Sequence, residues 1–386
     1  MRIALNLVNL FSAGGLVVAL EFVKALARYK SRHEFIVFAP SNLGYESITF
    51  PQNIKIYFFK RKKFNNLWKI WFDFIKTPNL IRQFDVDVYI SLGNHAPARL
   101  NIPKIVLFHN FFLLTSFNSS WRGYRLSFSN SLKKYFERFI FSFTVRSVDI
   151  MIAQTNYMKD QLISAWKIPP ERIRIIPNAL PQCFIDKLQD INHEDIQIEN
   201  REEKFSLIYV STTSPHKNHD LLISAAAKLK DMAITDVVFI LTMDADNPIR
   251  SKINDEGLED YFNIIGEIPQ MQLHKWYLEA DAMIFPSKIE SFGNALIEGM
   301  AYGLPICAID LPYAHAVCED SVVYFEKDNV QDCVDKILLL KSNVSICNIL
   351  GASGRERIKS FPTWDEIVSE YINIAVSLYN ERNNTK

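Results

Sequence analysis

The sequence predicts an α/β protein with two doubly wound, parallel-sheet domains in tandem. Its 386 residues are too many for one ordinary hydrophobic core. Short, continuous apolar runs alternate with amphipathic stretches along most of the chain, which is typical of parallel strands covered on both faces. The alternation stops at a polar, acidic segment between Asp186 and Lys204 and then resumes, so we place a domain linker there.

The first domain is predicted at residues 1–180. Two of its amphipathic stretches, Leu16–Tyr29 and Tyr157–Ala165, have the apolar spacing of a helix. Its strands are predicted from apolar runs at Arg2–Val8, Glu34–Ala39, Lys55–Phe59, Val86–Leu92, Lys104–His109 and Ile150–Gln154. The β–α alternation of these elements indicates one parallel sheet.

The second domain is predicted at residues 205–362, after a linker region at 181–204. Its strands are predicted at Phe205–Ser211, Val237–Thr242, Ala282–Phe285 and Pro305–Ile309. Its helices are predicted at His219–Leu229, Gln272–Glu279, Asn294–Tyr302 and Val330–Leu340. A final helical stretch, Trp364–Tyr379, lies in the tail at 363–386, which we expect to pack back on the first domain.

Composition argues against several classes of protein. The 43 basic and 43 acidic residues cancel, whereas nucleic-acid-binding proteins usually carry a basic excess, so we expect no nucleic-acid partner. The five cysteines are odd in number and lack C-x-x-C spacing, which argues against a zinc ribbon or a secreted disulfide scaffold. The first apolar run is too short for a signal sequence, and no run approaches ~20 residues, so we expect a cytoplasmic protein without a membrane span.

The most informative segment is Ala282–Asp310, which has the pattern strand, loop, helix, turn, strand. Its helix is predicted to begin near Asn294, where backbone N–H groups and the positive end of the helix dipole suit a diphosphate. Gly293 would let the backbone approach that anion closely. Glu290 precedes the helix and Glu298 lies ~7 Å further along it, so both carboxylates could accept hydrogen bonds from sugar and ribose hydroxyls. Two glutamates at this spacing are also common by chance.

This segment resembles the E-x7-E signature of the family 4 glycosyltransferases, with Glu290 and Glu298 as its two acids. The resemblance extends over most of the chain through motifs in the family's order: Gly14-Gly15, His109-Asn110, Pro177-Asn178, His216-Lys217-Asn218, Pro286-Ser287, Phe292-Gly293 and Gly303-Leu304-Pro305. It implies the GT-B fold, in which two Rossmann-like domains face each other across a cleft. It also implies that the second domain binds most of the donor and that the anomeric configuration is retained.

The resemblance assigns roles to individual side chains. Glu290 would face the transferred sugar, with His109 beside it, and Glu298 would bind the ribose hydroxyls. Lys217 follows a strand of the second domain, at the edge where open α/β sheets bind ligands, and would stabilise the diphosphate leaving group. The predicted catalytic residues are Glu290, His109 and Lys217. The predicted donor-binding residues are Gly14, Gly15, Lys217, Ile268, Ser291, Phe292, Gly293, Asn294 and Glu298.

The sequence departs from the family pattern just before Lys217. An arginine usually precedes this lysine by four or five residues, and Thr212 and Thr213 stand there instead. Leaving-group stabilisation would then rest on Lys217, on loop N–H groups and on the helix dipole.

Asp244-Ala245-Asp246 is a D-x-D that follows a predicted strand. In the other major glycosyltransferase fold, such a pair holds a metal ion that bridges the diphosphate. Acidic loops after strands are common, however, and the helix-end site has no need of a metal. We therefore expect no cofactor, no metal ligands and metal-independent transfer, with a metal site at Asp244 and Asp246 as the alternative.

Two stretches of the first domain combine basic and aromatic residues. Residues 60–76 read KRKKFNNLWKIWFDFIK, and aromatic and basic residues also interleave in Trp121–Arg146. Such helices can lie in a membrane interface, or they can bury their aromatic rings in the core and leave a solvated basic rim. From residues 60–76 we expect peripheral contact with the inner face of a membrane. The acceptor would then be a lipid-linked or cell-surface glycan intermediate.

The sequence thus predicts a retaining glycosyltransferase that moves a sugar, expected to be a hexose, from a nucleotide diphosphate donor to an acceptor hydroxyl. The resemblance implies front-face displacement, in which the departing phosphate takes the acceptor proton. A double displacement through Glu290 stays open. The alternatives are a nucleotide-sugar epimerase of the same fold and a two-domain sugar-binding protein without chemistry, which would normally carry a signal peptide.

Overall fold

The computed structural model describes residues 1–11, 13–60, 65–98, 100–114, 128–189, 204–244 and 246–384, with the backbone alone at 13, 65–67 and 128–134. The chain divides into two compact units. Unit 1 comprises Met1–Asn178 with Thr363–Lys386, and unit 2 comprises Ala179–Pro362. The predicted domain boundaries at 180 and 362 lie close to the boundaries of these units.

A seven-stranded parallel sheet forms the centre of unit 1. Its strands are β1 (Arg2–Asn6), β2 (Glu34–Pro40), β3 (Ile54–Phe59), β4 (Val88–Ser91), β5 (Lys104–Leu107), β6 (Ile150–Ala153) and β7 (Ile173–Ile175). Their order is β3-β2-β1-β4-β5-β6-β7, so the strand order reverses between β1 and β4. Strands β4, β5 and β6 are buried along their whole length, in keeping with their continuous apolar runs.

The connections of unit 1 are largely helical. Its α-helices are α1 (Ala13–Arg28), α2 (Asn65–Trp71), α3 (Thr77–Gln83), α4 (Phe128–Ser147), α5 (Asn156–Trp166) and α14 (Trp364–Asn384), and a π-helical segment at Phe72–Lys76 joins α2 to α3. Local sequence explains the ends of α5. The Thr155 hydroxyl accepts the Met158 N–H at its start, and Lys167 takes a left-handed conformation at its end.

The C-terminal helix α14 belongs to unit 1, where it packs on α1. The rings of Phe22 and Tyr371 meet edge to face with centroids 5.1 Å apart. Arg28 at the end of α1 pairs with Asp365 in the first turn of α14 at 2.6 Å. The tail therefore returns to the unit in which the chain begins.

A six-stranded parallel sheet forms the centre of unit 2. Its strands are β8 (Phe205–Tyr209), β9 (Val237–Leu241), β10 (Phe262–Ile264), β11 (Ala282–Phe285), β12 (Ile306–Ile309) and β13 (Val323–Phe325). Their order is β10-β9-β8-β11-β12-β13, so the strand order reverses between β8 and β11. Strands β10 and β13 have three residues each, which is too short for a periodic pattern, and the sequence did not predict them.

The helices of unit 2 are α6 (Gln182–Gln189), α7 (His219–Asp231), α8 (Pro248–Asp255), α9 (Gln270–Glu279), α10 (Asn294–Ala301), α11 (Pro312–Cys318), α12 (Val330–Ser342) and α13 (Val344–Ile358). Among the described residues, no single helix is long and apolar enough to cross a bilayer. The bent pair of α12 and α13, which meet at 98°, passes that test only when the two are taken together.

The predicted linker at 181–204 needs correction, because α6 occupies its first part and belongs to unit 2. Phe184 of α6 is fully buried, with its ring 5.9 Å from that of Tyr277 and 5.8 Å from that of Tyr302. A short helix with one deeply buried ring has little apolar periodicity of its own, so its sequence looks like a linker. The rest of the predicted linker, 190–203, lies outside the described residues.

Candidate active site

Two loops of unit 2 meet where the strand order of its sheet reverses. One follows β8 and the other follows β11, and these strands are neighbours. The Asn218 side chain donates to the Pro286 carbonyl at 3.2 Å, and the Lys288 N–H donates to the His216 carbonyl at 2.8 Å. Open α/β sheets bind ligands at such a reversal. These joined loops therefore frame the candidate site.

Lys217 and Glu290 pair across the two loops. Lys217 Nζ lies 2.5 Å from Glu290 Oε1, and the side chains are 17% and 14% exposed. The Tyr209 hydroxyl donates to the Lys217 carbonyl at 2.9 Å and so holds the lysine backbone. Partial burial strengthens the attraction between the two charges. The structure thus brings together two of the predicted catalytic residues.

The loop after β8 carries little other positive charge near neutral pH. Burial lowers the pKa of His216 from its ordinary value, and the charge of Lys217 lowers it further, while Glu290 acts in the opposite direction. A histidine with a lowered pKa is neutral at pH 7. Thr212 and Thr213, which stand where the family has an arginine, are exposed and uncharged.

The start of α10 has the backbone that the sequence predicts for an anion site. Gly293 is left-handed, with φ 92°, and a Cβ there would lie 3.0 Å from Leu296 Cδ1. Asn294 begins the helix, and Ser291 is partly exposed in the loop before it. Phe292 is different, because its ring is buried 5.8 Å from that of Phe361. Its side chain therefore contributes to packing, and its backbone is the part that can contact a ligand.

Glu298 lies deeper in α10 and is 5% exposed. The Tyr277 hydroxyl donates to Glu298 Oε2 at 2.6 Å, and the Gln270 side chain also hydrogen-bonds to this carboxylate. Burial raises the pKa of Glu298 to about 6, and the two hydrogen bonds act in the opposite direction. The sequence did not single out Gln270 or Tyr277, because nothing in it shows that α9 packs against α10.

Ile268 lies in the loop that joins β10 to α9 and is partly buried. It stands two residues before Gln270, whose side chain reaches Glu298. The predicted donor-binding residues of unit 2 thus lie in three loops and in α10. Gly14 and Gly15 belong to unit 1, where they form part of the first turn of α1, because that helix begins at Ala13 and not at the predicted Leu16.

His109 follows β5 in unit 1 and is held by Asn94. The Asn94 side-chain oxygen accepts the backbone N–H groups of His109 and Asn110, so its amide nitrogen is the donor to His109 Nε2 at 3.0 Å. The ring proton of the neutral imidazole therefore lies on Nδ1. Burial, followed by the charge of Lys69, lowers the pKa of His109 to about 4.

A buried carboxylate that the sequence did not predict lies at the strand-order reversal of unit 1. Asp73 is 2% exposed and accepts the side-chain amides of Asn6 at 3.1 Å and Asn9 at 2.6 Å. The Asn6 amide also donates to the Tyr89 hydroxyl at 2.8 Å. Burial raises the pKa of Asp73 to about 7. The one feature of the sequence that could have indicated this buried acid is the position of Asp73 within the aromatic run at 71–74.

The two acids of the D-x-D segment, Asp244 and Asp246, precede α8. Asp244 and Asp246 are both exposed. The backbone N–H of Asp246 donates to Asp244 Oδ1 at 3.4 Å, and the Asn247 side chain donates to the Asp244 carbonyl and caps α8. In the part of the chain that is described, no group of three or more His, Cys, Asp or Glu side chains could hold a metal ion.

Among the described side chains of the basic and aromatic stretch at 60–76, some are buried and others are exposed. Phe72 is fully buried, whereas Trp71 is 43% and Ile75 is 56% exposed. Four residues of the stretch predicted to contact a membrane lie outside the described ranges: Arg61, Lys62, Lys63 and Phe64.

Two protein-family models match the chain. The model described as Glycosyltransferase Family 4 matches residues 13–181, and the model described as Glycosyl transferases group 1 matches residues 190–357. These matches take in most of both units.

The chain is also similar to individual glycosyltransferases. The O-antigen chain mannosyltransferase RfbU of Salmonella typhimurium is 24% identical over 198 residues, which are 51% of this chain and 52% of RfbU. This chain therefore matches about half the length of that relative.

Two solved structures match over almost their whole length. Sucrose-phosphate synthase from Thermosynechococcus elongatus has a TM-score of 0.76 at 15% identity and covers 99% of this chain and 100% of its own. Anabaena HepE, solved with UDP and glucose, has a TM-score of 0.68 at 15% identity, with 97% and 99% covered. With the two parallel sheets, these likenesses confirm the predicted GT-B fold.

Proposed function

Because the chain belongs to the family 4 glycosyltransferases, we propose that it transfers a sugar from a nucleotide diphosphate donor to an acceptor hydroxyl. The observation that carries this proposal is the Lys217–Glu290 pair beside the start of α10. A cation suited to a leaving diphosphate and a carboxylate suited to sugar hydroxyls stand side by side there.

The negative charge of a bound diphosphate would break the ion pair between Lys217 and Glu290. Its oxygens compete with Glu290 for Lys217 Nζ, and the released carboxylate then accepts hydrogen bonds from hydroxyls of the donor sugar. The positive end of α10 adds to the attraction for the phosphates. Before the donor binds, the charges of Lys217 and Glu290 cancel. Once it is bound, Lys217 contacts the diphosphate and Glu290 contacts the sugar hydroxyls.

In the transfer step, the bond between the anomeric carbon and the diphosphate oxygen breaks, and the acceptor oxygen forms its bond on the same face. The leaving diphosphate takes the acceptor proton, so this course has no separate base and retains the anomeric configuration. Lys217 stabilises the charge that develops on the leaving oxygen. Glu290 orients the sugar.

His109 keeps its proposed role of supporting the sugar. Its Nε2 accepts from Asn94 and its lowered pKa keeps the ring neutral, so Nδ1–H is the group that can donate to a sugar hydroxyl. A neutral donor suits a hydroxyl better than a diphosphate. This supports a contact with the sugar and leaves the phosphates to Lys217.

The acceptor is proposed to be a lipid-linked or cell-surface glycan, with unit 1 in peripheral contact with an anionic membrane. Trp71 and Ile75 are exposed within the segment 60–76. Helix α4 adds exposed aromatic side chains at Tyr135, Phe136, Phe139 and Phe143. Aromatic groups of this kind enter the membrane interface, and each basic group near an anionic surface contributes about 1 kcal/mol.

Vesicle co-sedimentation tests the membrane contact. We expect binding to phosphatidylserine vesicles that falls with salt, weakens in Lys62→Glu/Lys63→Glu and weakens in Phe139→Ser. Phosphatidylcholine vesicles are the control for charge. No binding to the anionic vesicles at low salt would make a soluble acceptor the better proposal.

A donor screen followed by product analysis tests the activity itself. Nucleotide sugars are ranked by the rise in melting temperature, and the best donor is incubated with candidate acceptors while anomeric protons are followed by NMR. A new glycosidic signal in the wild type that Glu290→Gln loses supports transfer. Release of an epimerised sugar would identify an epimerase, and stable binding without turnover would identify a sugar-binding protein.

A further inference from the structure

Helix α9 directs three polar side chains toward α10. They are Gln270, His274 and Tyr277, whose spacing of four and three residues places them on one face of the helix. Gln270 and Tyr277 hydrogen-bond to Glu298. His274 Nδ1 lies 2.8 Å from the hydroxyl of Tyr302, the residue that follows α10. This face of α9 is therefore built around Glu298 and the end of α10.

Packing fixes the ring of Tyr277. It stacks on Tyr302, with centroids 5.2 Å apart and an interplanar angle of 27°. Phe184 meets both tyrosine rings edge to face. All three rings are buried, so they sit in a closely packed core in which a ring has little freedom to move. The Tyr277 hydroxyl consequently has one position, and Glu298 Oε2 accepts from it there at 2.6 Å.

The Glu298 carboxylate depends on these neutral donors. Burial raises its pKa to about 6, and the hydrogen bonds from Tyr277 and Gln270 counter this by favouring the charged form. Rotation of the Glu298 side chain would break its hydrogen bonds and leave a buried carboxylate without donors, which costs free energy. The bond from Tyr277 therefore also resists this rotation. A carboxylate has about four acceptor positions, and these two donors leave room for the hydroxyls of a ligand.

We propose that Tyr277 is a positioning residue, whose hydroxyl holds Glu298 in the orientation that binds the ribose of a nucleoside diphosphate. The inference rests on the proposed donor-binding role of Glu298 and extends it to a residue 21 positions away. It implies that removing the Tyr277 hydroxyl lowers the affinity for nucleotides that carry the recognised ribose hydroxyl. The affinity for nucleotides that lack this hydroxyl should change only slightly.

Two matched variants test this. Tyr277→Phe and Tyr302→Phe each remove one buried hydroxyl from the same stacked pair, but only the first removes a bond to Glu298. Calorimetry measures the binding of UDP, GDP and ADP and of their 2′-deoxy and 3′-deoxy forms. We expect Tyr277→Phe to weaken the best ribose nucleotide by about 10-fold, the effect of one hydrogen bond to a charged group. Tyr302→Phe should stay near the wild type, and circular dichroism checks that both variants fold.

The deoxy nucleotides separate positioning from general damage. The wild type and Tyr277→Phe should have the same affinity for the deoxy nucleotide that lacks the recognised hydroxyl. In a transfer assay, Tyr277→Phe should have a higher donor KM than the wild type and the same kcat. Unchanged binding of ribose nucleotides by Tyr277→Phe, or an equal loss for ribose and deoxy forms, would overturn the inference alone. A wild type that binds none of these nucleotides would overturn the proposed function as well.

Discussion

Glu290 and Glu298 lie eight residues apart in one segment, yet their surroundings differ in kind. Glu290 stands in a loop and is balanced by a full positive charge, because Lys217 Nζ lies 2.5 Å away on the loop after β8. Glu298 stands inside α10 and is balanced by a neutral hydroxyl held by packed rings. A diphosphate can take the lysine from Glu290 and so free that carboxylate for sugar hydroxyls, whereas the bond from the buried Tyr277 holds Glu298 in one orientation. The difference suits Glu290 to the reacting sugar and Glu298 to a part of the donor that does not change.

The largest effect is expected from Glu290. Glu290→Gln keeps the size of the side chain but removes its charge, so the sugar loses its orienting partner and kcat should fall by about 100-fold or more. The exposed Glu259→Gln in the same unit is the control and should match the wild type. A Glu290→Gln enzyme with wild-type kcat on a confirmed donor would remove this residue from the active site.

The coupling between Lys217 and Glu290 sharpens the comparison. Lys217→Met should lower kcat, and the double variant Lys217→Met/Glu290→Gln should be less impaired than the sum of the two losses, because each single change leaves a partner without its counter-charge. We expect a coupling of roughly 0.5–3 kcal/mol from kcat/KM. The same cycle between Lys217→Met and Glu298→Gln should be close to additive, and equal coupling in both cycles would contradict the distinction.

Glu298→Gln should act on binding and not on chemistry. We expect the donor Kd to rise by about 10-fold, since one charge-assisted contact is weakened, with kcat almost unchanged. The pKa of Glu298 is raised to about 6 by burial, so the wild-type affinity should fall as the pH drops through that value and the carboxylate takes up a proton. Calorimetry between pH 5 and 8 should show this fall in affinity at low pH in the wild type and not in Glu298→Gln.

Asp73 of unit 1 extends the comparison to a third buried acid, with a smaller effect expected on stability. Its pKa is raised from 3.8 to about 7 by burial, so the folded protein holds this proton more tightly than the unfolded chain. The resulting stability is fully present below the unfolded pKa and is lost as the pH rises through about 7. The free energy of unfolding of the wild type should therefore fall relative to Asp73→Asn from about pH 4 to about pH 7. A difference between the two proteins that does not change with pH would contradict the shifted pKa.

No effect is expected from metal removal. Transfer should be unchanged by EDTA and by Asp244→Asn/Asp246→Asn, because the diphosphate charge is assigned to Lys217 and to the start of α10. Activity that EDTA abolishes and manganese restores would contradict this, and loss of that rescue in the double variant would place the metal at Asp244 and Asp246.

Much of the fold could be predicted because its signals are local. Continuous apolar runs placed β1, β8 and β11 within two residues of their observed ends, since a strand buried on both faces is apolar at most of its positions. The start of α10 was readable from Gly293, whose φ of 92° favours glycine. Helix α6 was not, because its burial depends on one phenylalanine whose partners lie more than ninety residues away in the chain.

The sequence by itself determined which residue types stand at the carboxyl ends of the strands, because parallel strands bring those ends to one edge. Together with the resemblance to the family 4 glycosyltransferases, these positions predicted that Lys217, Glu290 and Glu298 belong to one site. Only the tertiary structure decided how they pair: Lys217 with Glu290 across 73 residues, and Tyr277 with Glu298 across 21. These pairings depend on how one loop or helix packs against another. Apolar periodicity records that a face is buried, but it does not record which neighbour covers it.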